Sequence, residues 1–327
     1  MEIIAGDIGG TKSWLASATT QGRIITRINY EHVYASTDFK SAEALLSQFM
    51  QDAHLSRVDA ACLALPGPVT RHKPIHLTNL DWVLERAPLQ KLLGTQDVYF
   101  LNDFQAAAEG VASLTPAEYI ELNPNAESTE NGTRAITGAG TGLGLAFMQA
   151  DIRGRYYTYA TEGGHTDFAP ANAQQERLLL FMRQSFKHVS WERLLSGAGV
   201  NACYQFCLQD LTNTLPETLK HLNGAEIYQQ AQSGDTISRA ALQLFADVYA
   251  NWVGNLALLY QPSGGLYIGG GISARLTEWL TTERFLQMAM DKGRLSRIVQ
   301  QTPIYLITNM RLGLQGALMA AINHHCD

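Results

Sequence analysis

The stretch Gly6-Asp7-Ile8-Gly9-Gly10-Thr11-Lys12 follows a short apolar strand with an acid and a glycine-rich turn. Residues that alternate in polarity from Ser13 to Thr19 come next and predict a returning strand. No helix follows, so the stretch is not a dinucleotide-binding fingerprint, and its glycine spacing differs from that of a Walker A loop. Glycine N–H groups can converge on phosphate oxygens and Asp7 can hold a hydrated Mg²⁺, but a plain tight hairpin explains the stretch equally well.

A second glycine cluster, Thr137-Gly138-Ala139-Gly140-Thr141-Gly142-Leu143-Gly144, also lies between two short predicted strands. A strand does not need four glycines, because each one costs stability relative to alanine. We therefore interpret this cluster as a phosphate-binding turn rather than a glycine-kinked strand. Glycine turns between antiparallel strands near residues 9 and 141 suggest two related halves of the chain.

Hydrophobic periodicity predicts an α/β protein, and 327 residues predict two domains or one large one. In the first third the order is β-β-β-α-β-α-β-α, with strands near 2–5, 13–19, 23–33, 58–65 and 98–101 and helices near 39–54 and 84–93. After the polar stretch 123–133, strands are predicted near 134–137, 145–148, 156–159, 266–268 and 304–308, and helices near 174–186, 191–195, 200–208, 225–230, 237–259 and 313–323. We expect the tail His324-His325-Cys326 to fray.

Composition excludes several classes of protein. The net charge is -6 and no basic block exists, which argues against a surface for nucleic acid or anionic lipid. No apolar run is long enough for a transmembrane helix, and the N-terminus does not read as a signal peptide. Four cysteines make no disulfide framework, so we expect a reducing cytoplasm.

Two further segments carry polar side chains suited to a substrate. In Leu101-Asn102-Asp103-Phe104 an acid follows a strand, at the end where open α/β sheets bind ligands. A helix N-cap is the alternative there, and it is the better explanation of the segment in isolation. In Glu162-Gly163-Gly164-His165 the acid and the imidazole can grip vicinal hydroxyls or a metal, although a solvated loop is as good an explanation.

Together these segments resemble the bacterial glucokinases, hexokinases of the actin-like, ribonuclease-H-like ATPase superfamily. The matching segments occur in order along nearly the whole chain, and their combination is far more specific than any one of them. They are GDIGGT at 6–11, LPGPV at 65–69, TNLDW at 78–82, NDF at 102–104, GAGTGLG at 138–144, EGGH at 162–165, ERLLSG at 192–197, GGGI at 269–272 and DKGR at 291–294.

The resemblance implies a fold, a reaction and site residues. The fold is an α/β two-domain ATPase fold, with a small α/β domain (1–111, completed by a C-terminal helix at 312–327), a larger α+β domain (112–311) and a cleft between them. The reaction is ATP-dependent phosphorylation of D-glucose to glucose 6-phosphate, the first step of glycolysis, by a cytoplasmic homodimer that uses Mg²⁺ and binds neither nucleic acid nor membrane. Asp103 is the implied catalytic base, and the implied sugar-binding residues are Asn102, Asp103, Glu162, His165 and Glu192.

The same resemblance assigns the glycine turns to ATP. The implied phosphate loops contain Gly6, Asp7, Gly9, Gly10 and Thr11 in one turn and Gly138, Gly140, Thr141 and Gly142 in the other. Gly269, Gly270 and Gly271, with a turn at 313–316, are the implied adenosine side. Asp7 would meet the nucleotide-bound Mg²⁺ through water, and no tightly bound metal is expected in the protein itself.

Two departures bear on how far the resemblance reaches. Lys12 stands where the glucokinases usually have Asn, and Lys is usual in the related ROK sugar kinases and repressors. ROK proteins would also show a cysteine-rich zinc motif after Gly-Gly-His, whereas Thr166-Asp167-Phe168 follows here. Two alternatives stay open: a kinase for another hexose or an N-acetylhexosamine, and a catalytically silent sugar-binding regulator, which would not need Asp103.

Overall fold

A computed structural model describes residues 1–70, 73–77, 80–212 and 222–326. Thr78 and Asn79 of the TNLDW segment lie outside the described residues. The chain forms two compact units, one of Met1–Leu114 with Arg311–Asp327 and one of Thr115–Met310. The expected boundary after residue 111 falls three residues before the one found in the structure, and the expected return at 312 falls one residue after it.

The first unit contains a five-stranded sheet. Its strands and helices up to residue 111 are β1 (Glu2–Ile8), β2 (Lys12–Gln21), β3 (Ile24–Ala35), α1 (Ala42–Asp52), β4 (Ala60–Leu65), β5 (Ile75–His76), β6 (Val83–Leu84), α2 (Arg86–Leu93), β7 (Val98–Asn102) and α3 (Asp103–Val111). The sheet has the order β3-β2-β1-β4-β7, and β5 pairs with β6 separately. Strands β1, β2 and β3 are antiparallel, whereas β1, β4 and β7 are parallel.

Strand β4 shows why this sheet is covered on both faces. All six of its residues are buried, as expected for a central parallel strand. Leu63 and Leu65 pack in the apolar cluster that includes α1 and α2. The small residues Ala60, Cys62 and Ala64 face the other way, where a helix can approach the sheet closely.

The second unit is larger and is built around a six-stranded sheet. Its strands are β8 (Tyr119–Glu121), β9 (Arg134–Ala139), β10 (Leu143–Ala150), β11 (Tyr156–Thr161), β12 (Gly265–Gly269) and β13 (Ile304–Ile307), in the order β11-β10-β9-β12-β13-β8. Its helices are α4 (Ala173–Arg183), α5 (Trp191–Leu194), α6 (Gly197–Thr212), α7 (Gly224–Gln232), α8 (Thr236–Tyr260), α9 (Gly271–Arg275), α10 (Thr277–Leu280), α11 (Glu283–Met290) and α12 (Ser296–Gln300). Strands β9, β10 and β11 are antiparallel, and β9, β12 and β13 are parallel.

Helix α8 is the centre of the second unit's core. Asp235 caps its first turn by accepting a hydrogen bond from the Ser238 N–H, at 2.7 Å. Its middle, from Ala241 to Ala257, is almost entirely buried, including the large rings of Phe245 and Tyr249. This stretch is buried on nearly all sides, including the polar residues Asp247 and Asn251, so α8 lies inside the core of the second unit.

The last helix, α13 (Leu312–Cys326), belongs to the first unit and packs on β1, β4 and α3. Gly316 permits a close crossing with α3, since a Cβ there would stand 1.6 Å from the Ala106 carbonyl oxygen. The helix predicted at 313–323 is confirmed, and the turn at 313–316 that the resemblance implied is wrong, because these residues form the first turns of that helix. The expectation of a frayed tail is also wrong: His325 Nδ1 lies 2.5 Å from Asp97 Oδ2, and the helix continues to Cys326.

Most predicted elements are present with shifted ends, but the region from 271 to 300 differs more. The sequence pattern predicts no helix between 259 and 313, whereas α9 to α12 lie there. None of the helices in the described ranges has both the length and the apolar character needed to cross a membrane.

Candidate active site

The first glycine turn closes the β1–β2 hairpin. The Gly9 N–H donates to the Lys12 carbonyl at 2.9 Å, and Ser36 braces the turn from β3's end. Ser36 Oγ donates to the Gly9 carbonyl at 2.7 Å, while the Ser36 N–H donates to the Thr11 carbonyl at 3.0 Å. The turn is therefore held in one shape, with Thr11 and Lys12 exposed at its tip.

Strand β1 runs further than expected and takes in part of the predicted loop. Gly6 is buried inside β1, where a Cβ would stand 2.6 Å from Leu15 Cδ2 and 2.9 Å from Leu63 Cδ2. The turn itself is thus formed by the partly buried Gly9 and Gly10 and the exposed Thr11. Gly6 serves the sheet by leaving room for two leucines.

Asp7 lies on β1 opposite Trp14, one residue before the strand ends. Burial raises the pKa of its carboxyl from 3.8 to about 6, because desolvation disfavours the charged form. Helix α13 begins against this carboxyl, since a Cβ on Gly313 would stand 2.7 Å from Asp7 Oδ2. A cation beside the carboxylate would offset this cost of ionisation.

These observations bear on where a metal ion can bind. In the described part of the chain, no three or more His, Cys, Asp or Glu side chains are grouped so that they could hold a metal. A single carboxylate suits Mg²⁺ that keeps most of its waters and arrives with a nucleotide, and not a site made entirely of protein ligands. Asp7 fits an ion of that kind.

Asn102 and Asp103 stand at the junction of β7 and α3. Asn102 is the N-cap: its Oδ1 accepts from the N–H groups of Phe104 at 3.0 Å and Gln105 at 3.2 Å. Its Nδ2 donates to the Gly67 carbonyl at 3.0 Å, which ties the LPGPV segment to the same point. Asp103 Oδ1 accepts from the Phe104 N–H at 2.8 Å. The cap and the strand-end acid are therefore both present, on neighbouring residues.

The second glycine turn closes the β9–β10 hairpin. The Gly140 N–H donates to the Gly142 carbonyl at 2.8 Å within the turn. The Gly140 carbonyl in turn accepts from the N–H of Gly197, the first residue of α6, at 2.9 Å. The positive end of the α6 dipole favours an anion near this turn, while the Gly197 and Gly199 N–H groups already donate to the Gly140 carbonyl and to Ser196 Oγ.

Glu192 connects this turn to the Glu162–His165 segment. Its Oε2 accepts from the Leu143 N–H at 3.0 Å, and its Oε1 lies 3.7 Å from His165 Nε2. The carboxylate also lies close to Gly142, because a Cβ there would stand 2.5 Å from Glu192 Oε2 and would make the Glu192 side chain shift. One carboxylate thus touches the backbone of the glycine turn and faces the imidazole.

The Glu162–His165 segment is itself held against β10. A Cβ on Gly164 would stand 2.3 Å from the Leu143 carbonyl oxygen, so only glycine allows the approach. The Thr166 carbonyl accepts from the Trp191 N–H at 3.1 Å, which sets this loop beside α5. Glu162 and His165 remain exposed at the surface of the second unit.

Gly269–Gly271 lies beside the second glycine turn. Gly269 ends β12 in register with Gly138 of the neighbouring parallel strand β9. Gly270 has a φ of 90°, and a Cβ there would stand 2.5 Å from the Ala139 carbonyl oxygen. Two of the predicted cofactor segments therefore meet at the carboxyl ends of adjacent strands, as ligand sites in open α/β sheets do.

A cleft of about 520 Å³ opens next to these segments in the second unit. Gly140, Thr141 and Gly197 line it, and these were within the predicted motifs. Ile272 of the GGGI segment lines it as well, whereas the sequence did not point to other residues of the wall, including Asn223, Tyr228 and Arg275. Asn223 had a readable signal, since it forms a capping box with Glu226 at the start of α7.

A family model described as Glucokinase matches residues 4–324 of the chain. The chain belongs to the glucokinase family. A glucokinase of Nostoc sp. is 35% identical to this chain, over 98% of this chain and 98% of that protein. The crystal structure of a glucokinase from an Antarctic psychrotroph has a TM-score of 0.86 and 30% identity, over 98% of this chain and 99% of that one.

This glucokinase-family enzyme also shares its fold with more distant sugar kinases. A ROK family glucokinase from Streptomyces griseus, solved with glucose and AMPPNP, has a TM-score of 0.60 at 20% identity, over 98% of this chain and 99% of that one. The predicted family and the predicted actin-like α/β fold class are confirmed. The role of each site residue stays a prediction.

Proposed function

We propose that this enzyme transfers the terminal phosphoryl group of ATP to the 6-hydroxyl of D-glucose and releases ADP and glucose 6-phosphate. The observation that carries the proposal is a strand-end carboxylate, Asp103, in a glucokinase-family chain that also holds two rigid glycine turns. Phosphoryl transfer requires mainly positioning and charge neutralisation from a protein. The described features supply both.

The two glycine turns bind the phosphates of ATP. Each is fixed by hydrogen bonds of its own backbone, at Gly9 in the first and at Gly140 in the second. Thr11 and Thr141 add hydroxyl donors, and the N-terminus of α6 adds the partial positive charge of a helix end. A turn that is already ordered loses little entropy when it binds a ligand.

The cleft beside the second turn receives the adenosine. Its wall contains Tyr228, Asn223 and Arg275, together with aliphatic residues such as Leu242 and Ile272. A mainly apolar cavity with a few placed polar groups is the usual chemistry of a nucleoside site.

Asp103 acts as the general base. As the 6-hydroxyl oxygen bonds to the γ-phosphorus, its proton passes to the Asp103 carboxylate and the bond from phosphorus to the β–γ bridging oxygen breaks. The Phe104 N–H fixes one carboxylate oxygen at 2.8 Å, so the group is oriented before the sugar arrives.

The sugar hydroxyls are bound by Asn102, Glu162, His165 and Glu192. Support comes from the exposed positions of Glu162 and His165 and from the contact between His165 and Glu192. A carboxylate near an imidazole orients the ring and favours one tautomer, which presents a defined donor or acceptor to the sugar.

Asp7 is the residue that would hold Mg²⁺, through the metal's waters. The ion supplies positive charge to the phosphates when it is bound with ATP. Asp7 contributes by staying ionised beside the first turn, and its raised pKa supports a site made for a cation. The homodimer and the cytoplasmic location implied by the resemblance are also part of the proposal, and light scattering of the purified enzyme tests the dimer.

One coupled assay tests the reaction. ADP release is followed with Mg²⁺-ATP and, in parallel, D-glucose, other hexoses, N-acetylhexosamines and no sugar, with Asp103→Asn as the inactive control. We expect glucose to give the highest kcat/KM. A higher value with an N-acetylhexosamine would support the alternative kinase, and glucose binding in calorimetry without turnover would support the silent regulator.

A further inference from the structure

We propose that Tyr249, a buried residue of α8, is a positioning residue for ATP whose hydroxyl locks two glycine segments to each other. The segments are the turn within Thr137–Gly144 and the segment Gly269–Gly271. The inference rests on the proposed function in one respect, that these segments bind the nucleotide.

The contacts of the Tyr249 hydroxyl carry the proposal. The Ala139 N–H donates to Tyr249 Oη at 3.2 Å, and Tyr249 Oη lies 3.2 Å from Ser273 Oγ. Tyr249 and Ser273 are both 0% exposed. Because the tyrosine oxygen accepts the Ala139 hydrogen, its own hydrogen is available to Ser273. One hydroxyl thus joins two separate segments of chain.

The two partners stand where the glycine segments start and end. Ala139 ends β9 and is followed by the turn Gly140–Gly142, while Ser273 lies in α9, directly after Gly269–Gly271. Gly140 and Thr141 line the 520 Å³ cleft from one side of the link, and Ile272 and Arg275 line it from the other. The Tyr249 bridge therefore sets the spacing between two walls of the cleft.

The hydroxyl is not needed to fill the core. The ring packs edge-on against Phe245 at 6.0 Å and Phe285 at 6.5 Å between centroids, contacts that a phenylalanine would keep. A buried hydroxyl is costly unless it is hydrogen-bonded, and here one bond goes to Ala139, at the start of the first glycine turn, and the other to Ser273, two residues after Gly271. Burial raises the pKa of Tyr249 to about 12, so the hydroxyl keeps its hydrogen at neutral pH.

A second bond from α8 supports the same hairpin but does not join the two segments. Trp252 Nε1 donates to Thr137 Oγ1 at 3.0 Å, and Thr137 Oγ1 donates to the Gly144 carbonyl at 2.8 Å. This link holds the two strands of one hairpin together. Tyr249 differs because its partners lie on β9 and α9.

Steady-state kinetics of Tyr249→Phe in the full-length enzyme test the proposal, with ATP and glucose each varied. We expect kcat/KM for ATP to fall about tenfold, since a buried N–H loses its acceptor and the turn is no longer fixed. The KM for glucose should change less than about twofold. The matched control is Tyr267→Phe, which removes a buried hydroxyl bonded to the Gly264 carbonyl at 3.3 Å, at the amino end of β12.

Ser273→Ala probes the same link from its other side and serves if Tyr249→Phe folds poorly. We expect it to weaken ATP use as well, and the double variant to cost less than the sum of the single effects, because both changes break one bridge. Tyr267→Phe should lower the melting temperature and leave the KM for ATP near the wild-type value.

Two results would overturn the inference. One is a Tyr249→Phe enzyme with a lowered melting temperature but unchanged ATP kinetics, which would make the hydroxyl merely structural. The other is an equal loss toward ATP and glucose. Wild-type turnover in the same assay separates these results from a failure of the proposed reaction, which would leave the wild type inactive as well.

Discussion

The two units share a sheet pattern and differ in how they hold their glycine turns. In each, three antiparallel strands are followed by two parallel ones, β3-β2-β1-β4-β7 in the first and β11-β10-β9-β12-β13 in the second. The glycine turn joins β1 to β2 in the first sheet and β9 to β10 in the second. The suggestion of two related halves agrees with this shared topology.

The supports of the two turns are different in kind. Local hydroxyls brace the first turn, through Ser36 and its contact with Ser13 at 2.9 Å, and an acid of raised pKa lies beside it. The second turn is tied to the rest of its unit, through Glu192, Gly197 and Tyr249. We infer that the first unit supplies charge to the reaction, while the second supplies geometry.

Asp103→Asn should have the largest effect and tests whether the first unit carries the chemistry. Asparagine keeps an oxygen that can accept the Phe104 N–H, so the start of α3 is preserved. It cannot take a proton at neutral pH, and general-base catalysis is typically worth about 10²–10⁴ in rate. We expect kcat to fall by that factor in the coupled assay.

Calorimetry with glucose supplies the control for this variant, and we expect an unchanged affinity. Near-normal turnover would move the base function away from Asp103 and break the proposed division between the units.

Asp7→Asn should have the second-largest effect, a loss of kcat of about 10²–10³, since the negative charge on the transferring phosphoryl group is then poorly balanced.

The same variant should be more stable than the wild type without nucleotide at pH 7. The pKa of about 6 in the folded protein lies above the ordinary value of 3.8, so the folded state binds this proton more tightly than the unfolded state. Wild-type stability therefore falls as the pH rises from about 4 to about 6.

Thermal melts of both proteins between pH 4 and 8 measure this effect. The advantage of Asp7→Asn should reach at most about 3 kcal/mol above pH 6, and less to the extent that solvent reaches the carboxyl. It should shrink to about 0.5 kcal/mol near pH 4, where the Asp7 carboxyl is protonated in the folded state and about half protonated in the unfolded state. An equal stability of the two proteins at pH 7 would contradict the burial argument.

Two substitutions in the second unit, Glu192→Ala and Glu162→Gln, test which ligand each of these acids affects. Glu192 accepts a hydrogen bond from the Leu143 N–H beside the turn and faces His165. Its removal should therefore weaken the binding of both ATP and glucose. Glu162 is exposed in the segment that we propose binds the sugar, and its substitution should weaken the binding of glucose alone. The binding free energy of each affected ligand should become less favourable by about 1–3 kcal/mol.

Calorimetry with glucose and with a non-hydrolysable ATP analogue separates the two variants. If Glu162→Gln weakened both ligands equally, Glu162 would act on the fold rather than on the sugar. If Glu192→Ala affected one ligand only, Glu192 would not couple the two segments.

Much of this architecture could be predicted because short sequence patterns correspond to backbone turns, buried strands and strand ends that require those residue types. The two glycine turns, the all-apolar strand at 60–65 and the acid after β7 were found from the sequence. Helices α9 to α12 were missed, since each is eight residues or fewer and such short segments show little periodicity. The Thr282 cap before α11 was a usable signal that was not read.

The site was harder to predict where function depends on buried polar atoms. Tyr249 and Trp252 stand in a long apolar helix, and periodicity treats both as core. Only the contacts of Oη and Nε1 distinguish them from phenylalanine, and these contacts join positions more than a hundred residues apart. A linear pattern cannot carry that information.

The smallest expected effect concerns the end of α13, which completes the first unit. His325 pairs with Asp97 at 2.5 Å, and the ring of His324 stacks on Tyr99 with 4.9 Å between centroids. Both side chains of the pair are partly exposed, at 30% and 39%, and such pairs contribute up to about 1 kcal/mol. His325→Gln should therefore lower the unfolding free energy by about 0.5–1 kcal/mol in urea titrations and leave kcat and both KM values unchanged. Asp97→Asn should match it, and the double variant should cost no more than either single one, because the same pair is lost in each. A change in ATP kinetics would show that this contact reaches Asp7 through Gly313 at the other end of the helix, and the first turn would then be held by more than its local hydroxyls.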